Sequence, residues 1–144
     1  MTAVQDMSYD KPVPKIEPEA APYWEYLRQH DIHLQRCDHC EEAYFPPSTH
    51  CPACLSPDVT WTPVAGTGRV WATATMHRAY LEAYEPEIPY NISIVELDEG
   101  PKVWTNVVAV PVDDVRVGMR VSVRYDDVAE DLTLARFVAS ASQD

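Results

Sequence analysis

The sequence holds no apolar run long enough to cross a membrane as a helix. Basic residues are scarce: 11 Lys and Arg stand against 23 Asp and Glu, a formal net charge of −12. Nucleic acids and anionic lipid surfaces are held by concentrated cations, which a chain this acidic does not offer as a whole. The usual catalytic motifs are absent as well: there is no G-x-S-x-G, H-E-x-x-H, Walker loop or Rossmann fingerprint. Met1 opens a polar, proline-bearing stretch, not a charged segment followed by an apolar one, so a reducing cytoplasm is the expected compartment. A length of 144 residues suits one small domain, or two very small ones that share a surface.

Cysteine is also rare, and its placement is informative. The four cysteines form two pairs, Cys37-Asp38-His39-Cys40 and Cys51-Pro52-Ala53-Cys54, in the spacing C-x2-C-x10-C-x2-C. Two such knuckles across a short hairpin bring four thiolates to one point, and tetrahedral Zn²⁺ takes that set at about 2.3 Å per sulfur. The gap between the pairs is shorter than the common ribbon spacing. It still holds a strand, Glu42-Ala43-Tyr44-Phe45, and a turn, Pro46-Pro47-Ser48-Thr49. Two disulfides would need an oxidising compartment, and a redox C-x-x-C would explain one pair but not both. Iron on the same thiolates stays open, because spacing does not select the metal. A catalytic zinc keeps one position for water, whereas four cysteines close the sphere, so the metal is read as structural. His39 and His50 are read as neighbours of the knuckles, not ligands.

In chain order, residues 1–17 are expected to be a flexible tail, residues 18–62 an N-terminal helix with the zinc ribbon, and residues 63–144 a barrel. Pro18-Glu19 suits a first helical turn. Tyr23, Trp24 and Leu27 then give one apolar face, and the helix should end near His30-Asp31. That face covers either the chain's own ribbon or another subunit. Ile32 and Leu34 alternate into the first knuckle as a strand. Gly66-Thr67-Gly68 reads as a bulge or turn, since no helix follows for a phosphate loop. The expected barrel strands are Arg69 to His77, Asn91 to Leu97, Lys102 to Val110, Arg120 to Tyr125 and Leu132 to Ala139. In the first, Val70, Ala72, Ala74 and Met76 should share a face, opposite Trp71, Thr73 and Thr75. A helical turn is expected around Asp113-Asp114-Val115, and an acidic turn from Asp126 to Asp131. The fold class is therefore mainly β: an N-terminal helix, a four-cysteine zinc ribbon and a five-stranded OB-fold barrel, whose closure removes exposed strand edges.

With these segments in place, the chain resembles the DUF 35 family, which joins a rubredoxin-like zinc ribbon to an acyl-CoA-associated OB-fold. The resemblance runs from about Pro22 to Phe137. It rests on Tyr23-Trp24, Leu34-Gln35-Arg36-Cys37-x-x-Cys40, Phe45-Pro46-Pro47, Cys51-Pro52-x-Cys54, Gly66-x-Gly68, His77-Arg78, Pro89-Tyr90, Val95-Glu96-Leu97-Asp98-Glu99-Gly100 and Val115-Arg116-Val117-Gly118-Met119. It implies a non-catalytic auxiliary subunit in a hetero-oligomer with an acyl-CoA enzyme of lipid or aromatic degradation. A thiolase-like partner is the leading expectation, and a side-chain-cleaving retro-aldolase the alternative. Relatives often carry a basic residue soon after Phe-Pro-Pro, whereas Ser48-Thr49-His50 follows here.

CoA carries several phosphates, so an acidic chain that helps to bind CoA or acyl-CoA must present local positive charge. His77 and Arg78, at the end of the first barrel strand, are the leading candidates, and Arg36 is next. The competing partners for Arg78 are Glu82 and Glu85 in its own loop. A reading from another class is a single-stranded nucleic-acid binder with Trp71, Trp104 and Phe137 as stacking residues. The scattered cations argue against it, so neither nucleic acid nor membrane is expected as a partner.

Overall fold

A computed structural model describes residues 9–141 and 143 of the chain. Of the expected tail, residues 1–8 lie outside the described residues, and residues 9–17 run without regular secondary structure. Lys11 lies against the barrel, 3.3 Å from Glu87 and over the Tyr84 ring. No helix among the described residues is long and apolar enough to cross a membrane.

A 3₁₀ turn at Pro18–Ala20 leads into helix α1, Ala21–Arg28. The proline sits where a missing N–H costs nothing. His30 takes a positive φ of 58° and turns the chain into β1, His33–Cys37. β1 is the middle strand of a three-stranded antiparallel ribbon, between β2 (Ala43–Tyr44) and β3 (Val59–Pro63).

Five further strands make the second sheet: β4 (Thr67–Met76), β5 (Tyr90–Leu97), β6 (Lys102–Thr105), β7 (Arg120–Ala129) and β8 (Leu132–Ala139). Their order is β6-β5-β4-β7-β8. A parallel bridge from Val107 to Phe137, with Val108 N–H donating to the Phe137 carbonyl, nearly closes the sheet into the expected five-stranded OB barrel. The third barrel strand is shorter than expected because the chain changes partners here. The Asn106 side chain donates back to the Asn91 carbonyl, and the backbone then crosses to β8. A short 3₁₀ turn at Val112–Asp114 interrupts the barrel between β6 and β7, close to the expected helical turn.

Two expectations are corrected. β4 carries a bulge between Val70 and Ala72, where two residues face one on β5. Val70 faces Val95 inside, Ala72 faces Ile94 outside, and Thr73 faces buried Ser93, whose hydroxyl it meets at 2.9 Å. Val70 therefore does not share its face with Ala72 and Ala74. The expected acidic turn is also mostly strand. Asp126 is bonded by Arg124 and Arg136, and Asp127 by Thr133 and His30, so both carboxylates find partners and β7 continues to Ala129.

One core joins helix, ribbon and barrel. Tyr23 and Leu27 of α1 pack with Ile32 and Leu34 of the ribbon and with Val70, Val95, Val121 and Phe137 of the barrel. The apolar helix face is thus buried within its own chain, on the barrel as much as on the ribbon. Burial of a leucine of this kind contributes about 1.5–3 kcal/mol. Gly66 and Gly68 make the join possible. Gly66 has φ +77°, and a Cβ there would lie 2.5 Å from Val123; a Cβ on Gly68 would strike the Glu96 carbonyl. The Gly-x-Gly motif is therefore a point of close backbone approach.

Candidate metal centre and anion contacts

The knuckles are built alike. Each begins on a buried cysteine, Cys37 or Cys51, and turns back so that the residue after the second cysteine donates to the first one's carbonyl. Glu41 N–H does so at 3.0 Å and Leu55 N–H at 2.7 Å. Both of these residues sit in the left-handed region, at φ 67° and 66°. The β1–β2 and β1–β3 pairings bring the knuckles together.

Cys37 Sγ lies 3.5 Å from Cys54 Sγ, Cys40 Sγ lies 3.6 Å from Cys51 Sγ, and all four sulfurs fall within 4.8 Å of one another. A tetrahedron with metal–sulfur bonds of about 2.3 Å has edges of about 3.8 Å, so the cluster fits a Zn²⁺-sized ion. Four thiolates around a divalent cation leave net negative charge, which backbone amides offset. His39 and Cys40 N–H groups point at Cys37 Sγ at 3.3 and 3.4 Å, and Ala53 N–H points at Cys51 Sγ at 3.3 Å. The Cys40 amide, with that of His39, draws the Cys37 thiol down to about 6. His50 Nδ1 is engaged with Thr49 Oγ1 at 2.9 Å, and the His39 ring is exposed.

A second polar contact fixes the tip of the ribbon. Gln35 is 4% exposed and grips Ser48 at both ends: its Nε2 donates to the Ser48 carbonyl at 2.9 Å, and its Oε1 accepts from Ser48 N–H at 2.8 Å. Tyr44 Oη donates to the same carbonyl at 3.1 Å. The segment after Phe45-Pro46-Pro47, where the basic residue of relatives would stand, is thereby held from inside. Gln35 looks in sequence like an ordinary polar strand residue, and only its burial reveals this role.

The candidate anion contacts are not brought together. Arg36, on the ribbon, lies 3.5 Å from Glu41. His77 and Arg78 lie past the far end of β4, both exposed, and the Arg78 guanidinium sits 5.4 Å from the centre of the Tyr80 ring. Among the described residues Arg78 has no carboxylate partner, so neither Glu82 nor Glu85 engages it. Arg69 and Arg116 share this property and were not singled out by sequence. The visible signal was the turn Arg116-Val117-Gly118-Met119; what places Arg69 against it is the tertiary bond from Arg69 Nη1 to the Gly118 carbonyl at 2.8 Å. Of the three candidate stacking residues, Phe137 is fully buried, whereas Trp71 and Trp104 are exposed.

Comparison with known proteins agrees with this architecture on both halves. The rubredoxin-like zinc ribbon domain of ChsH2 matches residues 24–60, and the C-terminal OB-fold domain of ChsH2 matches residues 61–126. A probable enoyl-CoA hydratase alpha subunit of Thermomonospora curvata is 33% identical over 93% of this chain, which spans 41% of that protein's length. A DUF35 domain-containing scaffold protein of Methanocaldococcus jannaschii is 32% identical over 67% of this chain and 68% of its own. Among solved structures, one described as an Ltp2-ChsH2(DUF35) aldolase superposes with a TM-score of 0.80 at 33% identity, covering 88% of this chain and 98% of that one. A DUF35 protein of unknown function from Sulfolobus solfataricus shares the fold, with a TM-score of 0.61 at 13% identity.

Proposed function

Because this chain belongs to the DUF35 family of paired zinc-ribbon and OB-fold proteins, we propose that it is a non-catalytic subunit that completes an acyl-CoA-cleaving enzyme of the aldolase type. The observation that carries the reading is the likeness to the chain in the Ltp2-ChsH2(DUF35) aldolase, which extends over 98% of that chain. A thiolase-like catalytic subunit is the second candidate within the same role. Cys37, Cys40, Cys51 and Cys54 hold one structural Zn²⁺, and a reducing cytoplasm keeps their thiols available. The metal fixes the ribbon, and the ribbon and barrel together offer a rigid body to the partner.

Within the complex, Arg78 with His77 reaches a phosphate of CoA or acyl-CoA. The lack of a carboxylate partner among the described residues supports Arg78 in this role, and engagement by Glu41 makes Arg36 the weaker contact. An arginine fork suits a phosphate because it can donate two parallel charge-assisted bonds.

The test is co-expression with aldolase-type and thiolase-type catalytic subunits. One complex on sizing, with acyl-CoA turnover that neither chain shows alone, is the expected result. Separate peaks with every candidate, or turnover by the isolated chain that one point substitution abolishes, would sink the reading. Arg78→Ala should leave assembly intact and raise the KM for acyl-CoA; an unchanged KM removes Arg78 from the site.

A further inference from the structure

The outward face of an antiparallel sheet over a closed core is ordinarily polar, because only the inner face meets other side chains. The face presented by β4, β5 and β6 departs from this. In β5, Asn91, Ser93, Val95 and Leu97 are buried, which leaves Ile92, Ile94 and Glu96 pointing out. Register places Ile94 between Trp104 of β6 and Ala72 of β4, and Ile92 beside Ala74. The bulge adds Trp71 to the same side. Lys102 shows this directly: its Nζ stands 5.0 Å from the Trp71 ring centre and 3.5 Å from the outward carboxylate of Glu96. Trp71 is 52% exposed and Trp104 72%. Two tryptophans, two isoleucines and two alanines thus form a patch that no other part of the described chain covers. Scattered exposed apolar residues are normal, but a contiguous patch rimmed by polar groups marks a contact surface.

The charge at its rim is the second observation. The next row across the sheet is Lys102, Glu96, Arg69 and Arg120. Lys102 is paired with Glu96, and Arg120 is paired with Asp98 at 2.7 Å. Arg69 has no carboxylate partner among the described residues and gives one N–H to the Gly118 carbonyl. Arg116 stands in the same turn, closed by a 3.2 Å bond from Met119 N–H to the Arg116 carbonyl, and it too lacks one. On a chain of net charge −12, two of the three cations without an ion pair among the described residues therefore stand next to this face: Arg69, two residues before Trp71 and near enough to Asp98 for that carboxylate to feel its charge, and Arg116 in the turn to which Arg69 bonds.

We infer that the outer face of β4–β5–β6 is the docking surface for the catalytic subunit, and that it receives a protein face with an apolar centre and carboxylates opposite Arg69 and Arg116. This rests on the reading that the chain works with a partner, and adds where that partner sits and what chemistry it offers. Tryptophan and arginine are the side chains that concentrate binding energy at interfaces, and complementary charge at the rim fixes orientation. Exposed aromatics beside arginines on an OB barrel would also suit stacked bases. A groove that tracks a nucleic-acid backbone needs a continuous basic stripe, however, and Glu96 and Asp98 interrupt this one.

The decisive experiment measures assembly of the full chain with its catalytic subunit, using Trp71→Ala/Trp104→Ala and Arg69→Glu/Arg116→Glu. Both pairs are exposed, so zinc content and Tm of the free chain check that each variant still folds. Loss of the two tryptophans should weaken the complex by roughly 100-fold or more, the range of paired interface hot spots. The arginine reversal should weaken it by about 10-fold and reduce its dependence on salt. In the wild-type complex, amide exchange should slow across residues 71–74, 92–96 and 102–105. Unchanged affinity and unchanged exchange in these strands, in a complex that still forms, would overturn the assignment of this face and leave the partner reading standing. Failure of the wild-type chain to form any complex would overturn both. Tight binding of oligothymidine at physiological salt, lost with the tryptophans, would replace the protein partner with nucleic acid.

Discussion

The two ends of the ribbon are held by different chemistry. At one end Cys37, Tyr44 and Cys51, with Cys40 and Val59 beside them, form a cluster too small to order itself. At the other end Leu34 of the same sheet, and Ile32 just before it, belong to the main core, together with Tyr23 and Leu27 of α1 and Phe137 of the barrel. The first end depends on four sulfurs meeting one ion, the second on apolar area removed from water. A single three-stranded ribbon therefore stands on two supports, and each can be removed without directly touching the other.

Removing the metal is the strongest way to break this comparison. Structural zinc contributes on the order of 10 kcal/mol to modules of this kind, because the site exists only when folded. Chelation, or Cys51→Ala, should abolish exchange protection from Cys37 to Val59 while Val95 and Val121 stay protected. Loss of both regions together would show that the ribbon and barrel are one cooperative unit. Absence of zinc or iron from freshly purified protein would remove the metal support altogether.

Phe137→Ala attacks the other support. Phe137 is fully buried where the barrel closes, and truncation of such a side chain costs about 3–5 kcal/mol. The expected result is a lower Tm for the barrel and α1 together, with four-thiolate metal binding retained at temperatures below that transition. Gln35→Leu should cost less, about 1–3 kcal/mol, because it leaves the Ser48 N–H without its buried partner and the carbonyl with Tyr44 Oη alone. Its effect should fall on residues 46–49, which line neither support.

Acid should separate the regions in a third way. Arg120, then Thr67, holds the Asp98 carboxyl below its ordinary range, and this contact ties the starts of β4 and β7 to the β5–β6 turn. Thr133, then His30, does the same for Asp127, where the helix end meets β7. A depressed carboxylate stabilises the fold above its unfolded pKa, and the benefit is lost as pH falls through the folded value. Barrel stability should thus decline below about pH 4, the ordinary carboxylate value, and Asp98→Asn should flatten that decline. An unchanged acid limb in Asp98→Asn would assign it elsewhere.

How much of this was legible in the sequence follows from how local each signal is. The cysteine set could be read because the knuckles are built within four residues each. β5 was legible as a strand because Ile92, Ile94 and Val95 lie between Pro89 and the Glu99-Gly100 turn, but its facing was not, since Asn91 and Ser93 are buried while Ile92 and Ile94 point out. β4 was legible as a strand but not in its facing, because Ala72-Thr73-Ala74-Thr75 offers nearly equal residues on both faces and nothing local announces the bulge. Asp126 and Asp127 looked like a solvated turn because the partners that keep them in a strand, Arg136 and His30, lie far off in sequence. The environment of each cation was hidden for the same reason. Which arginine keeps clear of an ion pair depends on the carboxylates the fold brings near it: Arg36 meets Glu41, while Arg69, Arg78 and Arg116 make no ion pair among the described residues.

The smallest expected effect tests the metal end on its backbone alone. Glu41 and Leu55 each follow the second cysteine of a knuckle with φ near +67° and +66°, a conformation that crowds any side chain against the following carbonyl. The Leu55 side chain is 72% exposed, so little packing compensates. Glycine removes the crowding, worth about 1–2 kcal/mol, but its freer unfolded chain takes back about 0.4–1 kcal/mol. Leu55→Ala keeps the crowding and deletes the rest of the side chain, so it is the proper reference. Leu55→Gly should exceed Leu55→Ala in stability by about 0.5–1 kcal/mol, read as slower loss of metal to a chelator, with the barrel Tm equal in the two variants. Equal chelation rates would mean that the metal, once bound, holds the knuckle irrespective of backbone strain. A shift in the barrel Tm would mean that the two ends of the ribbon are coupled.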